Sequence, residues 1–233
     1  MPNMNPKKTP IPEQEPAVRV TNFKEVALGY TEEQAQEEAL RCLGCKHRPC
    51  VNGCPVQVPI PEFIAQVAAG DFAAAYRTIL RENRLPAICG RVCPQETQCE
   101  ALCVRGVKGE AVAIGRLERF VADWAMAHGI TAADKEPANG IKVAVVGSGP
   151  AGLTCAGELA RSGFSVTMFE ALHAPGGVLM YGIPEFRLPK ALVQREIDAV
   201  RALGVTFEKN VIVGRSITVG ELLEEEGFRA VFI

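Results

Sequence analysis

Eight of the chain's nine cysteines fall in two short runs. "CLGCKHRPCVNGCP" carries Cys42, Cys45, Cys50 and Cys54 at spacings C-x2-C-x4-C-x3-C, and "CGRVCPQETQCEALC" carries Cys89, Cys93, Cys99 and Cys103. Prolines follow Cys54 and Cys93. Iron–sulfur clusters are held by thiolates from short turns, and in two-cluster ferredoxins the Cys-Pro member of a run crosses to the other cluster. By that logic Cys42, Cys45 and Cys50 share one cluster and Cys54 reaches a second, while Cys93, Cys99 and Cys103 complete both. Structural zinc sites favour paired C-x2-4-C ligands; the x4 gap, the two Cys-Pro pairs and eight clustered thiols fit zinc poorly. The spacing predicts two [4Fe-4S] clusters. It does not make every cysteine a ligand, since a carboxylate can replace one thiolate.

A second constellation lies in "VAVVGSGPAGLTCAGELARSGFSVTMFE". A β-branched apolar run leads into Gly147-x-Gly149-Pro150-Ala151-Gly152, a helix follows, and the next strand ends on Glu170. In that context the glycine spacing is a dinucleotide fingerprint. Gly147 permits the tight turn, Gly149 lets backbone approach a pyrophosphate, and Gly152 allows close helix–strand packing, with the helix N-terminus favouring phosphate. Glu170 can accept hydrogen bonds from a ribose hydroxyl. Its charge disfavours a 2′-phosphate, which leaves FAD or NAD. The alternative is a nucleotide-free sheet of the same kind. Cys155, on the helix after the loop, reads as a packed core thiol. His47 reads as a solvated loop residue, and His128 and His173 carry no signal.

These residues must be positioned by two kinds of element. Residues 1–20, rich in Pro, Lys and Glu, predict an extended arm lying on a partner surface. Residues 21–130 read as an all-helical domain. Thr31 and Gln34 form a capping box for the helix that delivers the first cysteines. Apolar residues at 60, 63, 64 and 67, then 72, 75, 76, 79 and 80, predict two helices broken near Gly70-Asp71, with Pro61 in a first turn and Asp71 as an N-cap. Ile114, Leu117, Phe120, Val121 and Trp124 mark one face of another helix. Residues 131–140, "TAADKEPANG", read as a linker. Residues 141–233 predict an incomplete doubly wound α/β domain, with short strands in "VTFEKNVIV" and a buried strand in "FRAVFI". A core strand at the terminus predicts a piece of a longer protein.

The composition narrows the function. The 233 residues carry 25 basic and 27 acidic side chains, a net of −2, with no basic stripe, so nothing favours nucleic acid. The start lacks an apolar signal segment and no run of 18 apolar residues occurs, which predicts a cytoplasmic protein without a membrane anchor. In a reducing compartment, nine cysteines read as metal or redox ligands rather than a disulfide scaffold.

Taken together, "CLGCKHRPCVNGCP", "CGRVCPQETQC", "AIGRLERF", "VVGSGPAGL" and "GGVLMYGIPEFRLPK" closely resemble the small subunit of NADPH-dependent glutamate synthase. They resemble equally the large subunit of NADH-dependent reduced ferredoxin:NADP oxidoreductase, and the N-terminal part of dihydropyrimidine dehydrogenase is similar. The resemblance implies two [4Fe-4S] clusters in a helical domain beside an FAD domain. It assigns one cluster to Cys42, Cys45, Cys50 and Cys103. It assigns the other to Cys54, Cys93, Cys99 and a residue corresponding to Glu118, where the related dehydrogenase uses a glutamine; Cys89 is then a bystander. It places Gly176, Gly177, Leu179 and Arg187 at the flavin, and the backbone of Val211 at the adenine. Arg187 reads equally well as a surface salt-bridge partner. The expected activity is electron transfer between NADPH, FAD and the clusters to a partner subunit, with NADPH bound by a domain beyond residue 233. Such a partner is the glutamate synthase large subunit or a ferredoxin:NADP oxidoreductase small subunit. Sulfide dehydrogenase and non-enzymatic electron-wiring or docking roles are the alternatives.

Overall fold

The structure is a computed structural model that describes residues 3–130 and 135–233. Residues 131–134 of the expected linker lie outside the described residues. The chain divides into two compact units, Met1–Ala132 and Ala133–Ile233.

The first unit contains α1 (Pro16–Arg19), α2 (Glu32–Ala39), α3 (Pro49–Asn52), α4 (Ile60–Ala68), α5 (Phe72–Ile79), α6 (Pro86–Val92) and α7 (Ile114–Ala127). At the start of α2 the Gln34 N–H donates to Thr31 Oγ1 at 3.3 Å and the Thr31 N–H to Gln34 Oε1 at 3.0 Å, which completes the capping box. Asp71 caps α5 by accepting from the Ala74 N–H at 2.9 Å. The predicted stripes of α4 and α5 (Ile60, Phe63, Ile64, Val67, Phe72, Ala75 and Ile79) pack with Leu117, Phe120 and Val121 of α7 into one core. Each large side chain so buried contributes roughly 1.5–3 kcal/mol. Phe72 meets Phe120 edge-on at 5.0 Å and Trp124 at 5.3 Å.

The N-terminal segment departs from expectation. It is tied to its own domain and forms one helical turn, α1. The Thr9 N–H donates to Glu38 Oε2 at 2.7 Å, Tyr30 Oη donates to the Thr9 carbonyl at 2.6 Å, and Arg41 Nε donates to the Asn5 carbonyl at 3.0 Å. Glu38 and Arg41 are 0% and 1% exposed and form an ion pair at 2.6 Å. Buried charges must be saturated with hydrogen bonds, and the backbone of this segment supplies several of them.

The second unit runs β1 (Lys142–Val146), α8 (Pro150–Arg161), β2 (Ser165–Glu170), α9 (Val178–Tyr181), α10 (Lys190–Ala202), β3 (Thr206–Lys209), α11 (Val219–Glu224) and β4 (Ala230–Phe232). The strands form one parallel sheet in the order β3-β2-β1-β4. Helices connect successive strands, as parallel pairing requires. Three expectations need correction. In "VTFEKNVIV" only β3 is a strand, and beyond it the chain makes an isolated Val213–Ile217 bridge. "FRAVFI" is not buried: β4 is an edge strand with Ala230 and Phe232 exposed. Cys155 is half-buried rather than enclosed. No helix among the described residues is long and apolar enough to cross a membrane.

Candidate cofactor sites

The first cysteine set is assembled from both runs. After α2 the chain turns through Gly44, at φ +58°, to present Cys42 and Cys45; Cys50 sits on α3, and Cys103 closes the second run. All four thiols line one cavity, together with Leu43, Pro49, Pro61 and Val104. The Val112 N–H donates to Cys103 Sγ at 3.5 Å, the type of contact that tunes a cluster sulfur. Burial, with Cys103 and Cys45 nearby, pushes the Cys42 thiol up. Burial, with Cys42 and Cys103 nearby, pushes Cys50 up to about 11. Such thiols hold their protons until a metal displaces them. Among the described residues no three His, Cys, Asp or Glu side chains are disposed to hold a metal ion, and the four thiols stand around a cavity.

The second set is built where α6 crosses α7. A Cβ on Gly90 would lie 2.5 Å from the backbone nitrogen of Arg119, so only glycine allows this approach. Arg91 and Arg119, both nearly buried, lock the crossing: Arg91 pairs with Asp123 at 2.8 Å and Glu25 at 2.7 Å, and Arg119 pairs with Glu25 at 3.1 Å. The crossing brings Cys93, at the end of α6, to Glu118 on α7. Glu118 is 9% exposed, and burial, helped by Cys93, pushes its carboxyl up to about 8 against the hydrogen bond from Asn83. Cys99 is pushed up to about 12 by burial and by Glu100, Glu118 and Cys54. Cys99 thus stands within electrostatic reach of Cys54 and Glu118, and Glu118 within reach of Cys93. Cys89, expected to stand aside, is an immediate neighbour. Its pairing with Cys93, then burial and Glu118, pushes Cys89 up against its contact with Asn83, and the same pairing holds Cys93 down to about 7. His47 is exposed on its loop, as expected.

In the second unit, Gly147 takes φ +89° between β1 and α8. A Cβ on Gly152 would collide with the Gly147 carbonyl at 1.9 Å, whereas a Cβ on Gly149 would meet nothing within 4 Å. Gly152 thus serves packing, and Gly149 borders open space at the head of α8. Gly176 and Gly177 take φ of +120° and +52°, and a Cβ on Gly177 would lie 2.9 Å from the Gly149 α-carbon, so the two glycine turns touch. Pro150 and Ala151 form the exposed first turn of α8, and Leu179 is buried on α9.

Glu170 is more engaged than the sequence suggests. One oxygen accepts from both the N–H (2.9 Å) and the hydroxyl of Ser148, and the other accepts from the Leu172 N–H at 2.8 Å. Burial opposes its charge, but the bonds from Ser148 and from the N–H groups of Leu172 and Ala171 outweigh it and hold the carboxyl below its usual range. Ser148 also accepts from the Gly176 N–H at 2.9 Å, so one buried hydroxyl links Glu170 to the second glycine turn. Val211 has its N–H committed to the Glu170 carbonyl at 3.0 Å, which leaves its own carbonyl for a ligand. Arg187 is exposed, and its guanidinium makes no hydrogen bond or ion pair among the described residues.

Sequence reasoning did not find Asn83, Ser148 or Lys190. Lys190 Nζ donates to the carbonyls of Leu179 (2.8 Å), Leu188 (3.2 Å) and Ile183 and gathers the segment around Arg187. No motif marks these residues; their partners are set by the fold.

Residues 19–130 match the family described as dihydropyrimidine dehydrogenase domain II, 4Fe-4S cluster, and residues 145–188 match the NAD(P)-binding Rossmann-like domain family. The chain is 38% identical over 209 residues to the NAD-dependent dihydropyrimidine dehydrogenase subunit PreT of Escherichia coli, covering 90% of this chain and 50% of that protein. It is 38% identical over 230 residues to the glutamate synthase [NADPH] small chain of Halomonas elongata, covering 95% and 47%. It is also 38% identical over 211 residues to the glutamate synthase [NADH] of Saccharomyces cerevisiae, covering 89% and 10%. The chain spans at most half the length of these relatives. The helical unit is thus an iron–sulfur domain and the second unit a Rossmann-like domain, in a chain homologous to oxidoreductase subunits.

Proposed function

We propose that this homologue of glutamate synthase small chains and PreT subunits is the electron-transfer part of a flavin and iron–sulfur oxidoreductase. One [4Fe-4S] cluster would be held by Cys42, Cys45, Cys50 and Cys103, and a second by Cys54, Cys93, Cys99 and Glu118. When bound, the clusters supply one-electron carriers whose potentials respond to ligand charge and to hydrogen bonds on sulfur. The observation that carries this reading is the division of the ligands. Cys103, from the second run, lines the same cavity as Cys42, Cys45 and Cys50, while Cys54, from the first run, is an electrostatic neighbour of Cys99.

FAD is the nucleotide that the second unit fits best. Gly149 and the head of α8 offer backbone amides and open space to a pyrophosphate. Gly177 brings backbone against Gly149, Leu179 and Arg187 on the following segment would lie on the flavin side, and Glu170 retains lone pairs for a ribose hydroxyl. FAD would supply the step between two-electron and one-electron chemistry. The chain's own residues would bind and orient, and electron transfer calls for no general base. NADPH oxidation would belong to a further domain of the whole protein, and electrons would pass to a partner subunit of the glutamate synthase or ferredoxin:NADP oxidoreductase type. The protein would act in the cytoplasm.

Anaerobic purification with assay of iron, acid-labile sulfide, zinc and flavin tests this reading. The expected result is about eight irons and eight sulfides per chain, with FAD. Zinc without sulfide would overturn it.

A further inference from the structure

We propose that Asn83 is the positioning residue that selects Glu118, rather than Cys89, as the fourth ligand beside Cys54, Cys93 and Cys99. The inference rests on the two-cluster reading above and concerns how that site is specified.

Asn83 is 7% exposed, and its side chain makes three hydrogen bonds among the described residues. Its Oδ1 accepts from the Leu85 N–H at 3.0 Å, its Nδ2 donates to Glu118 Oε1 at 2.7 Å, and Cys89 Sγ lies 3.6 Å from Oδ1 as a donor. The two ends of an amide are told apart by their partners. A backbone N–H can only donate, so the end facing Leu85 must be the oxygen and the end facing Glu118 must be the NH2. That polarity sorts the two candidates for the fourth place. The side toward Glu118 favours an acceptor, a carboxylate held by one oxygen with Oε2 left to offer. The side toward Cys89 favours a donor, an S–H drawn to the amide oxygen and away from ligation. Leu85 immediately precedes α6, which carries Cys89 and leads directly into Cys93, so the orientation of the amide and the placement of the thiols come from one piece of backbone.

The test uses the full chain, purified anaerobically, with Asn83→Asp, Asn83→Ala, Glu118→Ala and Cys89→Ser. Two readouts are taken: iron release to a chelator, and the spin-resonance signals of the reduced clusters. Asn83→Asp is nearly isosteric but presents oxygen where Glu118 needs a donor. It should loosen the second cluster's iron about 10–100-fold, as loss of an outer hydrogen bond to a ligand does, and change that cluster's signal. The signal of the Cys42 cluster should stay the same and thereby report an intact fold. Cys89→Ser should leave both signals as in the unsubstituted chain. If Glu118→Ala abolishes the second signal while both Asn83 variants leave it unchanged, Glu118 remains the ligand and the role of Asn83 is refuted. If Glu118→Ala changes nothing and Cys89→Ser removes the second signal, the ligand assignment itself fails. Loss of both signals in Asn83→Asp would show a general folding role and also overturn the inference.

Discussion

Gly90 and Arg119 meet backbone to backbone: a Cβ on Gly90 would stand 2.5 Å from the Arg119 nitrogen and 2.7 Å from its α-carbon. Cys93 and Glu118 are carried by the two helices that touch at this point. Gly90→Ala must push α6 and α7 apart. We expect a destabilisation of about 1–3 kcal/mol, the usual cost of overpacking, read by denaturant unfolding, together with selective loss of the Cys93–Glu118 cluster by iron assay.

The second and third glycines of the dinucleotide loop should separate fold from binding. A Cβ at Gly149 faces open space, whereas one at Gly152 lies 1.9 Å from the Gly147 carbonyl. Gly149→Ala should leave the thermal unfolding of the second unit unchanged and weaken FAD binding in a flavin titration. Gly152→Ala should lower both. Equal effects of the two substitutions would refute this division of labour.

Arg41 is 1% exposed and pairs with the fully buried Glu38. It also donates to the carbonyls of Asn5 (3.0 Å) and Glu110 (2.7 Å). Arg41→Ala strands the Glu38 carboxylate in the interior, which costs about 3–5 kcal/mol when one partner of a buried pair is removed. Calorimetry should show the helical unit unfolding earlier while the Rossmann-like unit keeps its own transition. Because Arg41 adjoins Cys42, the first cluster should also be lost more readily than the second.

Tyr30 gives a pH test. Burial pushes its phenol from 10.0 up to about 12, partly offset by Arg116, and its hydroxyl donates to the Thr9 carbonyl at 2.6 Å. The group has a raised folded pKa, so its contribution is complete below pH 10 and is lost as pH rises from 10 to 12, where the unfolded chain has already released the proton. Stability should fall across that window by on the order of 2 kcal/mol. Tyr30→Phe should be less stable at pH 8 and lack this part of the alkaline decline in urea titrations.

Much of this was legible in residue order. Caps such as Thr31 with Gln34, and stripes such as Ile60, Phe63, Ile64 and Val67, are local patterns with local causes. The glycine loop was legible because Gly147 and Gly152 answer to backbone sterics alone. What escaped was long-range polar pairing. The N-terminal segment has an open composition, yet Glu38, thirty residues away, requires its backbone. Ser148 is an unremarkable letter between two glycines until Glu170 and Gly176 arrive on either side of it. Asn83 likewise acquires its role only when α7 delivers Glu118. β4 read as a core strand from its apolar residues, but side-chain type does not say whether a strand has neighbours on both sides.

Two separate ligand sets are the central claim, and spin resonance of the dithionite-reduced chain tests it most directly when paired substitutions are compared. Cys42→Ser should remove one [4Fe-4S] signal and about half the iron while leaving the other signal intact. Cys99→Ser should do the converse. If either substitution removed the same signal, or all of the iron, the eight proposed ligands would not form two independent sites and the account would be contradicted.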